Sequence, residues 1–172
     1  DRPILTTTRS GNVPQLHTVA GLMMARTPIR FEAEPLQGRW SPAGDVLVVS
    51  KDAGGDEFYQ LHTLANGRLS LLTDGKSRNQ FNAWSRDGRL IAYSSTRRNG
   101  KDVDFYVIDP TSPASNRMLA QLNKGEAWGI SDWSPDDSKI LAAEDVSANE
   151  SYIWLFDAVT GEKTLLTPRE EG

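Results

Sequence analysis

The chain has 172 residues, of which 38% are hydrophobic and 24% are charged, and its formal net charge is −4 at neutral pH. This composition predicts a globular protein without a membrane span, because no apolar run approaches the ~20 residues that a spanning helix needs. Cysteine is absent, which excludes disulfides and thiolate metal sites, and 23 acidic against 19 basic residues argue against nucleic acid as a partner.

The first 34 residues have the pattern of three strands joined by polar turns. Stretches rich in apolar and β-branched residues at Ile4–Thr8, Val13–Val19 and Arg26–Ile29 predict the strands. The sequence "RSGN" between the first two predicts a turn. This segment lacks the tryptophan-containing phrase that opens each later segment. We therefore expect residues 1–34 to be an incomplete copy of the unit that follows.

A phrase built on Trp-Ser and a polar turn then occurs three times. The three copies are "RWSPAGDVLVVS", "AWSRDGRLIAYS" and "DWSPDDSKILAA". Their tryptophans, Trp40, Trp84 and Trp133, lie roughly 45 to 50 residues apart, which is the period of four-stranded propeller blades. Pro, Gly and Asp in the turn favour chain reversal, so each phrase predicts a hairpin.

Three further strands follow the tryptophan in each repeat, and Gly-, Asn- and Asp-rich loops separate them. About four strands per repeat predict a β-propeller blade, and the three repeats span residues 35–78, 79–125 and 126–172. The predicted strands after each tryptophan are Val46–Val49, Phe58–Leu64 and Arg68–Thr73; Leu90–Tyr93, Phe105–Asp109 and Asn116–Ala120; and Ile140–Ala143, Tyr152–Asp157 and Lys163–Thr167.

The predicted fold is therefore all-β: residues 1–172 form a single partial β-propeller, a fragment of about three and a half four-stranded blades. Because Trp40, Trp84 and Trp133 recur at equivalent positions, we interpret them as structural residues of the seams between blades. Trp128 and Trp154 fall outside this equivalence and are available for another role.

The chain lacks a recognisable catalytic constellation. The segment from Gly129 to Trp133 has the first Gly and the Ser of a G-x-S-x-G elbow but not the closing Gly, and it precedes a hairpin. The only histidines, His17 and His62, lie in predicted strands outside any H-E-x-x-H pattern. We therefore expect no catalytic residue, metal or cofactor in this chain.

Three charged clusters remain. Two are acidic and lie in predicted loops, with Asp52, Asp56 and Glu57 in one and Glu144, Asp145 and Glu150 in the other; the spacing does not match a calcium loop. The third is basic, "RRNGK" at residues 97–101. We interpret all three as solvated loop charges, with a cation or amine site in the acidic loops as the alternative.

Five stretches together, among them "ILTTTRSGNVPQLHTVAG" and "GRWSPAGDVLVVSKDAGGDEFYQLHTL", resemble the propeller of the prolyl oligopeptidase family of serine peptidases. The resemblance extends from Ile4 to Thr167. It implies a propeller that lies over an α/β-hydrolase domain and filters the peptides that reach a Ser-Asp-His triad. No triad residue corresponds to a position of this chain. Two departures lie inside the repeated phrase, where Arg86 replaces the usual Pro and Asp137 the usual Gly.

The resemblance implies a non-catalytic propeller portion that gates and docks peptide substrates for a serine peptidase. Glu57 and Glu150 are the candidate substrate-binding residues, as contacts for a peptide's amino terminus. The alternative is a stand-alone protein-interaction propeller resembling that of the periplasmic Tol system, which shares the repeated phrase. An independent propeller enzyme is disfavoured because no acid/base pair is recognisable.

An incomplete propeller also predicts association through its uncovered blade faces. The expected partners are a second copy of the chain or the missing part of the propeller, and no membrane or nucleic acid. The compartment is left open, with the cytoplasm slightly favoured over the periplasm.

Overall fold

A computed structural model describes residues 4–10, 13–20, 25–30, 37–44, 46–66, 68–122 and 127–168. Within these ranges the chain forms fifteen strands and no helix, and so none that could cross a membrane. The strands are β1 (Ile4–Ser10), β2 (Val13–Ala20), β3 (Ala25–Arg30), β4 (Gln37–Trp40), β5 (Leu47–Lys51), β6 (Gln60–Ala65), β7 (Arg68–Leu71), β8 (Asn79–Trp84), β9 (Ile91–Ser95), β10 (Asp104–Asp109), β11 (Ser112–Ala120), β12 (Ala127–Trp133), β13 (Lys139–Ser147), β14 (Glu150–Asp157) and β15 (Lys163–Leu165).

The strands form four antiparallel sheets in which sequential strands are neighbours. We name them blade 1 (β1–β3), blade 2 (β4–β7), blade 3 (β8–β11) and blade 4 (β12–β15). In the described residues, blades 2 to 4 have four strands each and blade 1 has three. The predicted all-β fold, a β-propeller fragment of about three and a half blades, is confirmed.

A repeated tetrapeptide aligns blade 1 with blade 2. The sequence "QLHT" occurs at residues 15–18 in β2 and at residues 60–63 in β6. In each copy the histidine Nδ1 lies close to the carbonyl oxygen of the glutamine two residues earlier, at 3.1 Å for His17 and 3.2 Å for His62. Because a carbonyl can only accept a hydrogen bond, Nδ1 is the donor in both. Strand β2 is thus the counterpart of the third strand of blade 2.

Apolar side chains on alternate strand positions form the seams between blades. Leu16 packs with Val49 and Leu64 between blades 1 and 2. The next seam joins Val48, Leu61 and Leu72 of blade 2 to Ile91, Tyr93, Tyr106 and Ile108 of blade 3. The third joins Phe105, Val107 and Leu119 of blade 3 to Ile130, Trp133, Ile140 and Phe156 of blade 4. Each fully buried large apolar side chain contributes about 1.5–3 kcal/mol, so the seams hold the blades together.

The turns inside the repeated phrase meet across the seam between blades 3 and 4. Asp137 has a left-handed backbone (φ 59°), as do Gly44 and Gly88 at the corresponding positions. Its carboxylate accepts the backbone N–H of Arg86 at 2.6 Å and of Asp87 at 2.9 Å. A proline at position 86 would have no N–H to donate. The two departures from the usual phrase are therefore partners in one contact.

Several predicted strand boundaries were wrong, and three of them show the reason. The predicted loop from Glu144 to Ser151 is mostly strand, because β13 and β14 pair as far as Asp145 with Ser151 and Ser147 with Glu150. Strand β11 begins at Ser112, inside the predicted turn, and pairs with Asp109. Conversely, β6 begins at Gln60 and excludes Phe58, whose N–H is bound by the Asp56 carboxylate. In the first two cases pairing with a neighbouring strand outweighed local residue preference, whereas at Phe58 a local bond from the Asp56 side chain replaces strand pairing.

Candidate functional site

The described residues form a cleft of about 1020 Å³ that crosses three blades. It lies next to the first residues of β4 and β8, on the side of the blades where the β5–β6 and β9–β10 loops also lie. Residues of the first strands of blades 2, 3 and 4 line it, among them Gln37 and Arg39 of β4, Gln80 and Phe81 of β8, and Trp128 of β12. We call it the inner-strand cleft. Because its walls come from successive repeats, it exists only when the blades pack.

Asn79 fixes the wall of the cleft between blades 2 and 3. Its side chain is only 5% exposed. The amide nitrogen donates to the carbonyl oxygens of Ser77 at 2.8 Å and Tyr59 at 3.0 Å, and the amide oxygen accepts the Ser95 hydroxyl at 2.7 Å. These bonds tie the start of β8 to the end of β9 and to the β5–β6 loop. A buried amide satisfied on both sides makes this wall rigid.

The charged side chains that line the cleft are mostly cationic. They are the cations Arg39, Arg78 and Lys101 and a single carboxylate, Glu57. All four side chains are exposed. The Arg78 guanidinium carbon lies 4.8 Å from the centre of the Phe58 ring, a cation–π contact that holds this arginine at the rim. The cleft is thus basic in a chain that is acidic overall.

The loop that carries Lys101 is shaped by an ion pair. Arg98 donates to both carboxylate oxygens of Asp104, at 2.6 Å and 3.2 Å, and Asp104 is 0% exposed. Asn99 binds Asp102 at 2.7 Å. Hydrogen bonding to Asp104 raises the pKa of Arg98 above its usual value. The interpretation of the 97–101 cluster as solvated charge was wrong for Arg98, which holds the loop together.

The two predicted substrate contacts lie at different places. Glu57 lines the inner-strand cleft, with a left-handed backbone (φ 61°) and its N–H 3.2 Å from the Asp52 carboxylate. Glu150 opens β14 and accepts the Tyr152 hydroxyl at 2.5 Å. It is not among the residues that line the cleft. Binding of a peptide's amino terminus by either residue stays a prediction.

Two carboxylates of the acidic clusters are buried, so their interpretation as solvated charges was wrong. Asp52 is 6% exposed and binds the Glu57 N–H. Glu144 is 1% exposed and accepts the Trp154 indole N–H at 2.6 Å. Asp56, Asp145 and Glu150 are exposed. In the described ranges no group of three or more His, Asp or Glu side chains is placed to hold a metal ion.

The repeated tryptophans lie beside the apolar clusters between the blades. Trp133 is 2% exposed, and its indole nitrogen lies 3.4 Å from the carbonyl oxygen of Ala83 in blade 3. Trp84 packs against the cluster that joins blades 2 and 3. Trp40 packs against the cluster that contains Leu16 of blade 1.

The other two tryptophans form an aromatic pair on blade 4. The rings of Trp128 and Trp154 have centroids 6.0 Å apart, and the ammonium of Lys163 lies 4.6 Å and 4.5 Å from them. This cation–π contact covers part of both rings. Trp128 also lines the inner-strand cleft, a role that no local sequence signal indicated.

No protein-family model and no curated protein matches the chain. Solved structures do match the chain, among them the following three. A putative TolB from Agrobacterium tumefaciens has a TM-score of 0.69 and 17% identity, over 94% of this chain and 59% of that one. A prolyl endopeptidase structure has a TM-score of 0.68 and 12% identity, over 91% and 25%. A puromycin hydrolase has a TM-score of 0.65 and 18% identity, over 98% and 28%.

This chain spans at most 59% of the length of these three proteins. At such low identity the likeness concerns the fold alone. Both TolB and peptidase structures are among the matches, so the comparisons do not favour one class over the other. The chain is a β-propeller portion with a basic cleft on the inner strands of its blades.

Proposed function

We propose that this chain docks peptide segments in the inner-strand cleft, as the non-catalytic propeller portion of a serine peptidase resembling prolyl oligopeptidase. The observation that carries the proposal is the cleft itself, which has a volume of about 1020 Å³ and is lined by three successive blades. Ligand sites of proteins typically have volumes of about 300–1,000 Å³, so the cleft is large enough for several residues of an extended chain.

The side chains of the cleft match the chemistry of a peptide. The amides of Gln37 and Gln80 can each donate to a peptide carbonyl and accept from a peptide N–H. Phe58, Phe81 and Trp128 offer aromatic surface for apolar side chains. A mixture of apolar walls and a few convergent polar groups is characteristic of ligand sites.

Hydrolysis is assigned by this proposal to an α/β-hydrolase domain outside these residues. Ser131, the serine of the incomplete elbow motif, lies within strand β12. A nucleophile elbow requires a strand-to-helix turn, so Ser131 is not a candidate nucleophile. The propeller would act by admitting short peptides and excluding folded proteins from the catalytic domain.

The alternative is a stand-alone interaction propeller that uses the same cleft to bind a segment of a partner protein. The match to a TolB structure supports this possibility as much as the peptidase matches support the first. The coding sequence next to these residues separates the two. A G-x-S-x-G segment between a strand and a helix favours the peptidase, and its absence favours the interaction protein.

Binding and turnover by the purified chain test the proposal directly. Short dye-labelled peptides should raise fluorescence anisotropy on binding, while chromogenic aminoacyl and dipeptidyl substrates should remain uncleaved. Absence of binding to every peptide would contradict peptide docking. Turnover that survives a serine-hydrolase inhibitor would contradict the non-catalytic assignment.

A further inference from the structure

The geometry points to a chemical preference of the inner-strand cleft: it selects peptide segments that carry carboxylates, which Arg39, Arg78 and Lys101 contact. This inference rests on the proposed peptide docking and names the class of peptide. It differs from the expected role of Glu57, which concerns the amino terminus of a peptide.

The charge of the cleft is opposite to that of the chain. Three cations and one carboxylate line the cleft, whereas the whole chain has 19 basic and 23 acidic residues. A cleft lined mainly by one sign of charge focuses the electrostatic potential and raises the local concentration of the opposite charge. A carboxylate is therefore attracted to this cleft although the protein as a whole repels anions.

The three cations have no carboxylate partner among the described residues. The ion pairs of the described ranges join Arg86 to Asp132, Arg89 to Asp87, Arg98 to Asp102 and Asp104, and Lys139 to Asp157. None of these pairs includes Arg39, Arg78 or Lys101. Their charges are thus available to a ligand, while several arginines elsewhere are engaged within the protein.

Nearby carboxylates are prevented from neutralising Lys101. Asp102 and Asp104 follow it in the chain, but Asn99 and Arg98 bind them. The backbone N–H of Lys101 donates to the Asn99 side chain at 3.0 Å, which completes the turn. The loop therefore holds its own acidic groups together and leaves the Lys101 ammonium at the cleft.

The arginines are attached to ordered parts of the blades. The backbone of Arg78 exchanges two hydrogen bonds with Thr96, at 3.1 Å and 3.0 Å. Arg39 lies in β4 opposite Val48, and its guanidinium donates to the Gly38 carbonyl at 3.0 Å. The guanidinium of Arg78 is also held over the Phe58 ring. An arginine whose guanidinium already has a contact within the protein loses less conformational freedom when it binds a carboxylate.

A peptide carboxylate suits this cleft better than a nucleic acid. Binding of a polyanionic backbone needs a broad positive field, and the overall charge of −4 opposes it. The amides of Gln37 and Gln80 and the ring of Phe81 lie in the same cleft. These groups suit a peptide main chain and its side chains.

Fluorescence anisotropy measured with matched dye-labelled peptides tests the preference for carboxylates. All three peptides carry the same uncharged dye as an amide on the amino terminus, so Glu57 has no amine to bind. The first peptide is Ala-Glu-Ala-Glu-Ala with a free carboxyl terminus, and the second replaces both Glu by Gln and amidates the carboxyl terminus. The third keeps Gln with a free carboxyl terminus, which separates side-chain from terminal carboxylates. We expect roughly 10-fold tighter binding of the acidic peptide at low salt, because exposed charge pairs each contribute a few-fold.

Substitution of the three cations tests whether they cause the preference for carboxylates. Arg39→Gln, Arg78→Gln and Lys101→Gln together should abolish the difference between acidic and neutral peptides while binding of the neutral peptide persists. Arg68→Gln is the control, since this exposed arginine opens the outer strand β7 and is not among the cleft-lining residues. Circular dichroism checks that each variant is folded. Salt should weaken the acidic preference, because it screens exposed charges.

The outcomes separate this inference from the proposed function. Equal affinity for acidic and neutral peptides overturns the carboxylate preference and leaves peptide docking intact. Absence of binding by all three peptides overturns both. An acidic preference that survives in the triple variant overturns the assignment to these cations. Tighter binding of a short oligonucleotide than of the acidic peptide at 150 mM salt overturns the choice of a peptide ligand.

Discussion

Replacing Gly161 by alanine tests whether blades 3 and 4 approach as closely as the structure indicates. Gly161 lies between β14 and β15 with φ 74°, and a Cβ there would be 1.9 Å from the carbonyl oxygen of Leu119 in blade 3. The left-handed backbone costs about 1–2 kcal/mol for a residue other than glycine. The steric clash with a backbone atom adds about 1–3 kcal/mol. We therefore expect Gly161→Ala to lower the free energy of unfolding by about 2–5 kcal/mol.

The matched control is Gly100→Ala. Gly100 has φ 77°, but a Cβ there would meet no atom within 4 Å. In this variant only the cost of a left-handed backbone should lower the free energy of unfolding, by about 1–2 kcal/mol. Urea unfolding followed by tryptophan fluorescence measures both, and in a chain of this size each kcal/mol shifts Tm by about 2–4 °C. Equal destabilisation of the two variants would refute the close approach of the blades at Gly161.

Four further predictions concern the turn contact between blades 3 and 4, the buried Glu144, the exposed Asp136 and self-association. Arg86→Pro should cost about 1 kcal/mol, and a double-mutant cycle with Asp137→Gly should give a coupling energy of about 0.5–3 kcal/mol; additivity would contradict the turn contact. Trp154→Phe removes a donor to buried Glu144 and should destabilise by about 1–3 kcal/mol, so an unchanged urea midpoint would refute that bond. Hydrogen bonds from Ser134 and Ser138 lower the pKa of Asp136 to about 2. Because the pKa of Asp136 is lower in the folded than in the unfolded protein, ionised Asp136 stabilises the fold fully above pH about 3.9, the unfolded value. This stabilisation is lost as the pH falls towards about 2; an NMR titration midpoint near 4 would contradict the prediction. Light scattering should give a mass above that of one chain, because no described sheet covers the second face of blade 4; a monodisperse monomer would refute self-association.

The repeated phrase was sufficient to predict the fold. Turn residues such as Pro42 and Asp87 act within a few positions of themselves, and the strands that they separate have a local residue pattern. The prediction that residues 1–34 are an incomplete blade, which rests on the missing tryptophan phrase, stays a prediction. Where the prediction failed, as between Glu144 and Ser151, the strand is held by its ladder with the neighbouring strand and not by its own residue preferences.

The inner-strand cleft was beyond local sequence reasoning. Arg39, Lys101 and Trp128 lie in three different repeats and share no motif, yet they line one cavity. Glu57 was predicted as a site residue from the acidity of its loop and does line the cleft, but Glu150, chosen for the same reason, does not.

The sequence by itself determined the strands, the period and the all-β fold, because these depend on contacts between residues close along the chain. Only the tertiary structure decided which charges are buried, which are paired and which line the cleft. Arg98 and Lys101 are three residues apart in one basic cluster, yet the first is bound to buried Asp104 and the second lies at the cleft. The physical reason is that burial and pairing depend on side chains brought from other strands and other blades.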